Sequence, residues 1–256
     1  MSDGEAASTA LFVLAHHDDE VFCAGHLLRA RRAGRRVRLL WATAGGLAPA
    51  TRRCREGERV SRLLALTPDD CRDLRLPDQQ ALRHVARIAA AAEELIGPVT
   101  GPAPLLYVPA YEGGHPDHDA VNLAAGILRA RRPKVEAHEF PLYRRGRAGL
   151  SVQSPRPAAD TPPRPYELLT LDAAALALRR RLVRANASQA LPSLLPLLAL
   201  AWAQGRGRAE PSRPLPDHDY ARPPHDGALL YEFYTRRRFG EFRAAALAAL
   251  ADAAAR

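Results

Sequence analysis

Cysteine and lysine are scarce in this chain and long apolar runs are lacking, and each lack narrows the class of protein. Cys23, Cys54 and Cys71 show no C-x-x-C spacing, and an odd count without a secretory leader argues against a disulfide framework. No uninterrupted apolar run reaches the roughly 20 residues needed to cross a bilayer. The nearest, residues 191–202, is broken by two prolines. The opening MSDGEAASTA has neither the basic start nor the apolar stretch of a signal peptide, so a cytoplasmic location and no membrane partner are expected. No G-x-G-x-x-G or Walker loop follows the first apolar run, which argues against a nucleotide-binding α/β module.

Lys134 is the single lysine, so arginine carries nearly all of the net charge of +9 and the pI of about 10.2. Such a balance can signal a nucleic-acid partner. Here the Arg/Ala-rich usage reads as coding bias, and the runs RARRAGRR (29–36) and RARR (129–132) close predicted helices, where cations suit the negative end of the helix dipole. No nucleic-acid partner is expected.

What is present is the pattern of an α/β protein. The 256 residues suit one domain with a sizeable core, residues 1–145 forming that core and 146–256 a C-terminal extension over the cleft. Short apolar runs predict strands at 10–15, 37–43, 72–76, 104–110 and 135–143. Between them, helical patterns cover 21–33, 51–66, 81–96 and 118–132. This alternation predicts a Rossmann-like three-layer α/β/α fold with a mostly parallel sheet. Beyond it, 146–165 reads as a surface loop and 172–187 and 194–204 as helices. The Pro-rich 205–227 reads as irregular, 229–235 as a late strand and 239–256 as a terminal helix.

Ligands in such sheets bind beyond the carboxyl ends of the strands, and the two polar clusters fall there. The first is His16-His17-Asp18-Asp19-Glu20, after the first strand. The second is Tyr111-Glu112-Gly113-Gly114-His115-Pro116-Asp117-His118-Asp119, after the fourth. A lone Asp or His after a strand is usually a helix cap. Two such clusters at corresponding strand ends, in a chain with nine histidines, point instead to a divalent-metal site of His and carboxylate donors.

His16-His17-Asp18-Asp19-Glu20 resembles the H-P-D-D-E signature of the LmbE-like, or PIG-L, de-N-acetylases. His115-Pro116-Asp117-His118 matches their H-P-D-H. Gly45-Gly46, Arg55-Glu56-Gly57-Glu58 (read as the family's R-x-x-E), Leu76-Pro77-Asp78 and Ser188-Gln189 resemble further family features in order. His17 departs from the family, which commonly has Pro at this turn.

The resemblance implies metal ligands His16, Asp19 and His118 and a general base, Asp18. The ion would be zinc, or iron(II) or another divalent cation. A protonated His115 would stabilise the oxyanion, held in that state by Asp117. Arg55 and Glu58 are expected to contact substrate. Tyr111, Glu112 and, from the irregular segment, His225 are expected to wall the pocket. The implied substrate is a small N-acylated molecule, an amino sugar or its conjugate, with a peptide or antibiotic amine as the alternative.

Overall fold

The computed structural model describes residues 8–46, 48–99, 101–146, 149–158 and 165–255. Six residues of the 146–165 stretch predicted as a loop (159–164), residues 147 and 148, and the terminal Arg256 lie outside the described residues.

Five strands, β1 (Thr9–Leu14), β2 (Arg36–Thr43), β3 (Cys71–Leu76), β4 (Leu105–Pro109) and β5 (Glu136–Phe140), alternate with helices α1 (Ala24–Arg32), α2 (Ala50–Leu63), α3 (Val85–Ile96) and α4 (Pro116–Arg131). Their spatial order is β3-β2-β1-β4-β5, all parallel. The order reverses between β1 and β4, whose ends therefore flank a crevice. Residues Ala10 and Leu105, and Phe12 and Tyr107, lie opposite each other across that pair.

The period of two along β1 assigns its faces. Leu11 and Val13 enter a core with Ile88 and Ala92 of α3, Val121 and Leu128 of α4, and Phe242. Ala10, Phe12 and Leu14 enter the opposite core with Leu27 of α1, Val60 of α2 and Leu182. Both faces are thus covered, as a parallel sheet requires.

The chain then forms a hairpin, β6 (Tyr143–Gly146) with β7 (Gly149–Val152), whose second strand lies inside the stretch predicted as a loop. Strand β8 (Glu167–Thr170), α5 (Ala173–Ala185), α6 (Ala187–Gln189), α7 (Leu195–Ala203), strand β9 (Ala209–Pro214), α8 (Tyr231–Tyr234) and α9 (Phe239–Ala254) follow. A π-helical turn, Ala190–Leu194, joins α6 to α7. It contains Pro192, and Pro196 opens α7; neither can donate a backbone hydrogen bond, which disturbs the ordinary i→i−4 ladder.

Two predicted elements are corrected. The Pro-rich 205–227 contains β9, which pairs antiparallel with both β5 and β8 and completes the sheet order β5-β9-β8. Buried ion pairs hold it there, Glu210 to Arg179 at 2.8 Å and Arg213 to Glu139 at 2.7 Å, despite its two prolines. The predicted late strand 229–235 is the short helix α8. Tyr231 N–H bonds Gly113 carbonyl and Tyr234 hydroxyl bonds Gly114 carbonyl, so residues i and i+3 reach the same turn, as a helix allows. Among the described residues no helix is long and apolar enough to cross a membrane.

Candidate metal centre

The ends of β1 and β4 bring the two polar clusters together. After β1 the chain makes a tight turn through Asp18, whose φ of 111° lies in the left-handed region that non-glycine residues rarely adopt. Glu20 secures the turn: its carboxylate accepts the Asp18 N–H at 3.0 Å and the Asn186 amide at 2.6 Å. One oxygen of Asp19 accepts the N–H groups of Ala15 and His16, both at 2.9 Å. Its other oxygen lies 3.2 Å from His118 Nε2. His16 Nδ1 lies 3.9 Å from Asp19.

His118 stands in the first turn of α4. Pro116 suits that position because its missing N–H would be unpaired there in any case. His115 is the N-cap, its Nδ1 accepting the Asp117 N–H at 3.2 Å. Asp119 accepts the N–H groups of Glu112 and Gly113, both at 3.2 Å, and so folds the turn ahead of the helix. Asp117 accepts from Gln79 N at 2.7 Å and Ala81 N at 3.0 Å, which carries the loop after β3 to the site. Asp78 thereby comes within 3.5 Å of His16 Nε2. Two glycines permit these approaches. A Cβ on Gly46 would lie 2.6 Å from Asp78, and one on Gly114 would run into the Tyr143 carbonyl oxygen.

One ligand atom each from His16, Asp19 and His118 lies within 4.8 Å of the others, and an overlapping group comprises His16, Asp78, His115 and Asp117. Both ring nitrogens of His118 and Nε2 of His16 are buried without a well-formed hydrogen bond. Buried imidazole nitrogens left in that condition are costly, and a divalent cation satisfies them. The residues present therefore fit a metal ion. His16 Nε2 also lies 3.4 Å from Asp117.

Electrostatics separates the carboxylates. Burial opposes ionisation of Asp19, but His118 and His16 hold its carboxyl well below the usual range. Burial pushes Asp18 up to about 8, against the pull of Arg53, whose guanidinium lies 3.3 Å away, and with the push of Asp19. Burial opposes charge on His16 as well, yet Asp117, Asp19 and Asp78 raise it. His115 behaves oppositely: burial and His16 lower it to about 3. The expectation of a protonated His115 is thus corrected. Its Nδ1 accepts a backbone N–H, so the ring is neutral with Nε2 as its donor, and the Asp117 carboxylate is spent on Gln79 and Ala81.

A cavity of about 430 Å³ opens over these groups, lined among others by His16, Asp18, Asp19, Arg53, Asp78 and His115. The expected substrate contacts need revision. Arg55 and Glu58 point to solvent, whereas Arg53 and Glu56 are buried on the inner face of α2. The R-x-x-E pattern fits residues 53 and 56 equally well, and their i, i+3, i+7 spacing to buried Val60 is the signal that selects them. Glu56 accepts Ser188 N at 2.8 Å and Ser188 Oγ at 2.6 Å, tying α2 to α6. Tyr111, Glu112 and His225 are not among the cavity-lining residues. Tyr111 packs on Tyr220 and Phe242, its hydroxyl donating to the Arg222 carbonyl. Glu112, raised to about 7 by burial against the pull of Arg144, accepts from Leu142 N. His225 Nδ1 bonds the Asp226 carbonyl. Tyr143 and Tyr234 line the cavity although no sequence pattern marked them.

His17 is fully enclosed. Its ring stacks on Trp41 at 4.6 Å, bonds Asp73 at 3.1 Å, and lies where a Cβ on Gly57 would be. It props the turn against α2.

Residues 11–127 match the PIG-L family model, described as GlcNAc-PI de-N-acetylase. No curated protein sequence matches the chain. Among solved structures, a deacetylase of the teicoplanin biosynthesis pathway superposes with a TM-score of 0.58 at 15% identity, covering 82% of this chain and 100% of that one. N,N'-diacetylchitobiose deacetylase from Pyrococcus horikoshii gives 0.51 at 17% identity, covering 81% and 84%. A conserved protein from Thermus thermophilus gives 0.52 at 21%, covering 81% and 94%. At these identities the likeness establishes the shared fold. The match through residues 11–127 spans the H-H-D-D-E and H-P-D-H clusters that meet at this cleft, so this part of the chain is similar to the PIG-L (LmbE-like) de-N-acetylases.

Proposed function

We propose that the protein is a divalent-metal-dependent amide hydrolase that removes an N-acetyl, or other N-acyl, group from an amino sugar or its conjugate. The supporting observation is the convergence of His16, Asp19 and His118, one donor atom each within 4.8 Å, on a cavity that also holds Asp18 and His115. Deacetylation of chitobiose and in teicoplanin biosynthesis by proteins of similar fold points to amino-sugar chemistry.

His16, Asp19 and His118 would hold the ion, and two imidazoles with one carboxylate suit zinc, iron(II) or cobalt. When bound, such an ion supplies Lewis-acid polarisation and lowers the pKa of a coordinated water to about 7. Asp18 then takes the proton of the attacking water and returns it to the departing nitrogen, so that amide and water become amine and carboxylic acid. Arg53 favours the ionised Asp18 and fixes its direction. His115, neutral and with Nδ1 occupied, presents Nε2–H to the carbonyl oxygen as charge develops there.

The test is acetate release from a panel of N-acylated sugars and amines after chelation and reconstitution with zinc, iron(II) or cobalt. Turnover of N-acetyl sugars restored by one of these ions is expected. Inertness on every N-acetyl sugar, with turnover of a peptide or antibiotic amide, would overturn the sugar assignment and favour the alternative.

A further inference from the structure

Four of the large apolar side chains exposed on this molecule belong to two segments that line the cavity. Leu191 (79% exposed) and Leu195 (45%) lie in the π turn and the start of α7, whose Ser193, Leu194 and Leu197 line the cavity wall. Phe233 (63%) and Tyr234 (51%) belong to α8, and Tyr234 also lines it. Exposed apolar groups gathered at a cleft mark a binding surface, whereas scattered ones carry no meaning.

This rim is anchored to the catalytic floor. Ser188, one turn ahead of Leu191, is fastened through its N–H and hydroxyl to buried Glu56, which also pairs with Arg53 at 3.2 Å. Tyr234 is fixed through its hydroxyl to the Gly114 carbonyl at 2.6 Å. Helix α7 itself, LPLLALAWA, is apolar all round, yet of its residues only Ala201 is fully buried. An all-apolar helix normally lies wholly within a core.

The charges of the cavity point the same way. Among its described lining residues Arg53 is the sole Arg or Lys, and it is engaged by Asp18 at 3.3 Å and Glu56 at 3.2 Å. Asp18, Asp19 and Asp78 share the wall. A phosphate or carboxylate on the substrate would find no free cation among those residues, in a protein whose sequence is otherwise rich in arginine.

Resting on the amide-hydrolase reading above, we propose that the substrate is an amphiphile: an N-acylated amino sugar whose aglycone is uncharged and apolar, seated against Leu191, Leu195 and Phe233. The sugar end is held by the polar floor, and the rim discriminates conjugates by their apolar area.

The experiment compares the methyl and octyl glycosides of N-acetylglucosamine, below the micellar concentration of the latter, with wild-type protein, the double variant Leu191→Ser/Leu195→Ser, and Phe233→Ser. The octyl glycoside should exceed the methyl one in kcat/KM by about tenfold or more, chiefly through KM, as expected for a few buried methylenes. Each variant should bring that ratio toward unity, while thermal melting reports intact folding. Equal kcat/KM for the two glycosides in the wild type, or a preference for an anionic glycoside such as an inositol phosphate, overturns the proposal and leaves the deacylase reading standing. Failure to turn over either glycoside while a non-sugar amide is cleaved overturns the amino-sugar assignment on which the proposal rests. Co-sedimentation with phosphatidylcholine/phosphatidylglycerol vesicles, or self-association, that the serine variants abolish while the octyl/methyl ratio stays unchanged would reassign the rim to a bilayer or a second copy, and so overturn the proposal.

Discussion

Glu139 on β5 and Asp19 beyond β1 are both buried carboxylates facing histidine, one strand apart from β4 on either side, yet their surroundings differ in kind. Glu139 is saturated: it accepts from Arg213 at 2.7 Å, His218 at 2.8 Å, Asn122 at 2.9 Å and Tyr166 at 3.2 Å. Burial opposes its charge, but His218 and Arg213 hold it at about 2. Around Asp19 the imidazoles of His16 and His118 keep unsatisfied nitrogens, and neighbouring Asp18 is pushed up to about 8 chiefly by burial. A closed network spends its polarity on the fold; an open one holds it for a ligand.

The difference is broken most severely at the open cluster. Asp19→Ala and His118→Ala should each drop acetate release to background and abolish stoichiometric metal, measured on the purified protein. Asp18→Asn should retain the metal and lose about 10²–10⁴ in turnover; loss of metal as well would make Asp18 a ligand and reverse the assignments. The closed cluster answers to stability instead. Glu139→Gln breaks its buried ion pairs with Arg213 and His218 and should cost about 3–5 kcal/mol by urea unfolding, with metal content unchanged in the folded fraction.

Acid sharpens the contrast further. Because the folded pKa of Glu139 is depressed to about 2 from an ordinary 4.5, its contribution to stability is complete above 4.5 and is lost as pH falls toward 2. The urea midpoint should therefore fall across that window in the wild type, and Glu139→Gln should flatten this part of the fall. The smallest effect separates neighbours on α2. Arg53→Ala should lower kcat, whereas Arg55→Ala should leave activity unchanged and stability within about 0.5 kcal/mol.

The parallel core was legible because its strands are apolar runs and its helices keep their period, and the two clusters could be located because each begins where a run stops. The R-x-x-E register was misread because 53–56 and 55–58 both satisfy the pattern. Only the helical face, set by Val60, separates them. Strand β9 was illegible because AEPSRP carries two prolines and two charges, and the partners that stabilise it, Arg179 and Glu139, are distant in sequence. The 229–235 segment is rich in aromatic residues, as strands often are, but contacts with the Gly113-Gly114 turn decide its helical form. Tyr143 and Tyr234 line the cavity through the hairpin and α8, placements that no local pattern encodes.

The left-handed turn at Asp18 sets stability against activity. Glycine adopts a φ of 111° freely, so Asp18→Gly removes backbone strain and, at the same step, a carboxylate buried at the cost that drives its pKa upward. On the proposed mechanism, screening for thermal tolerance alone would thus favour a variant that lacks the general base.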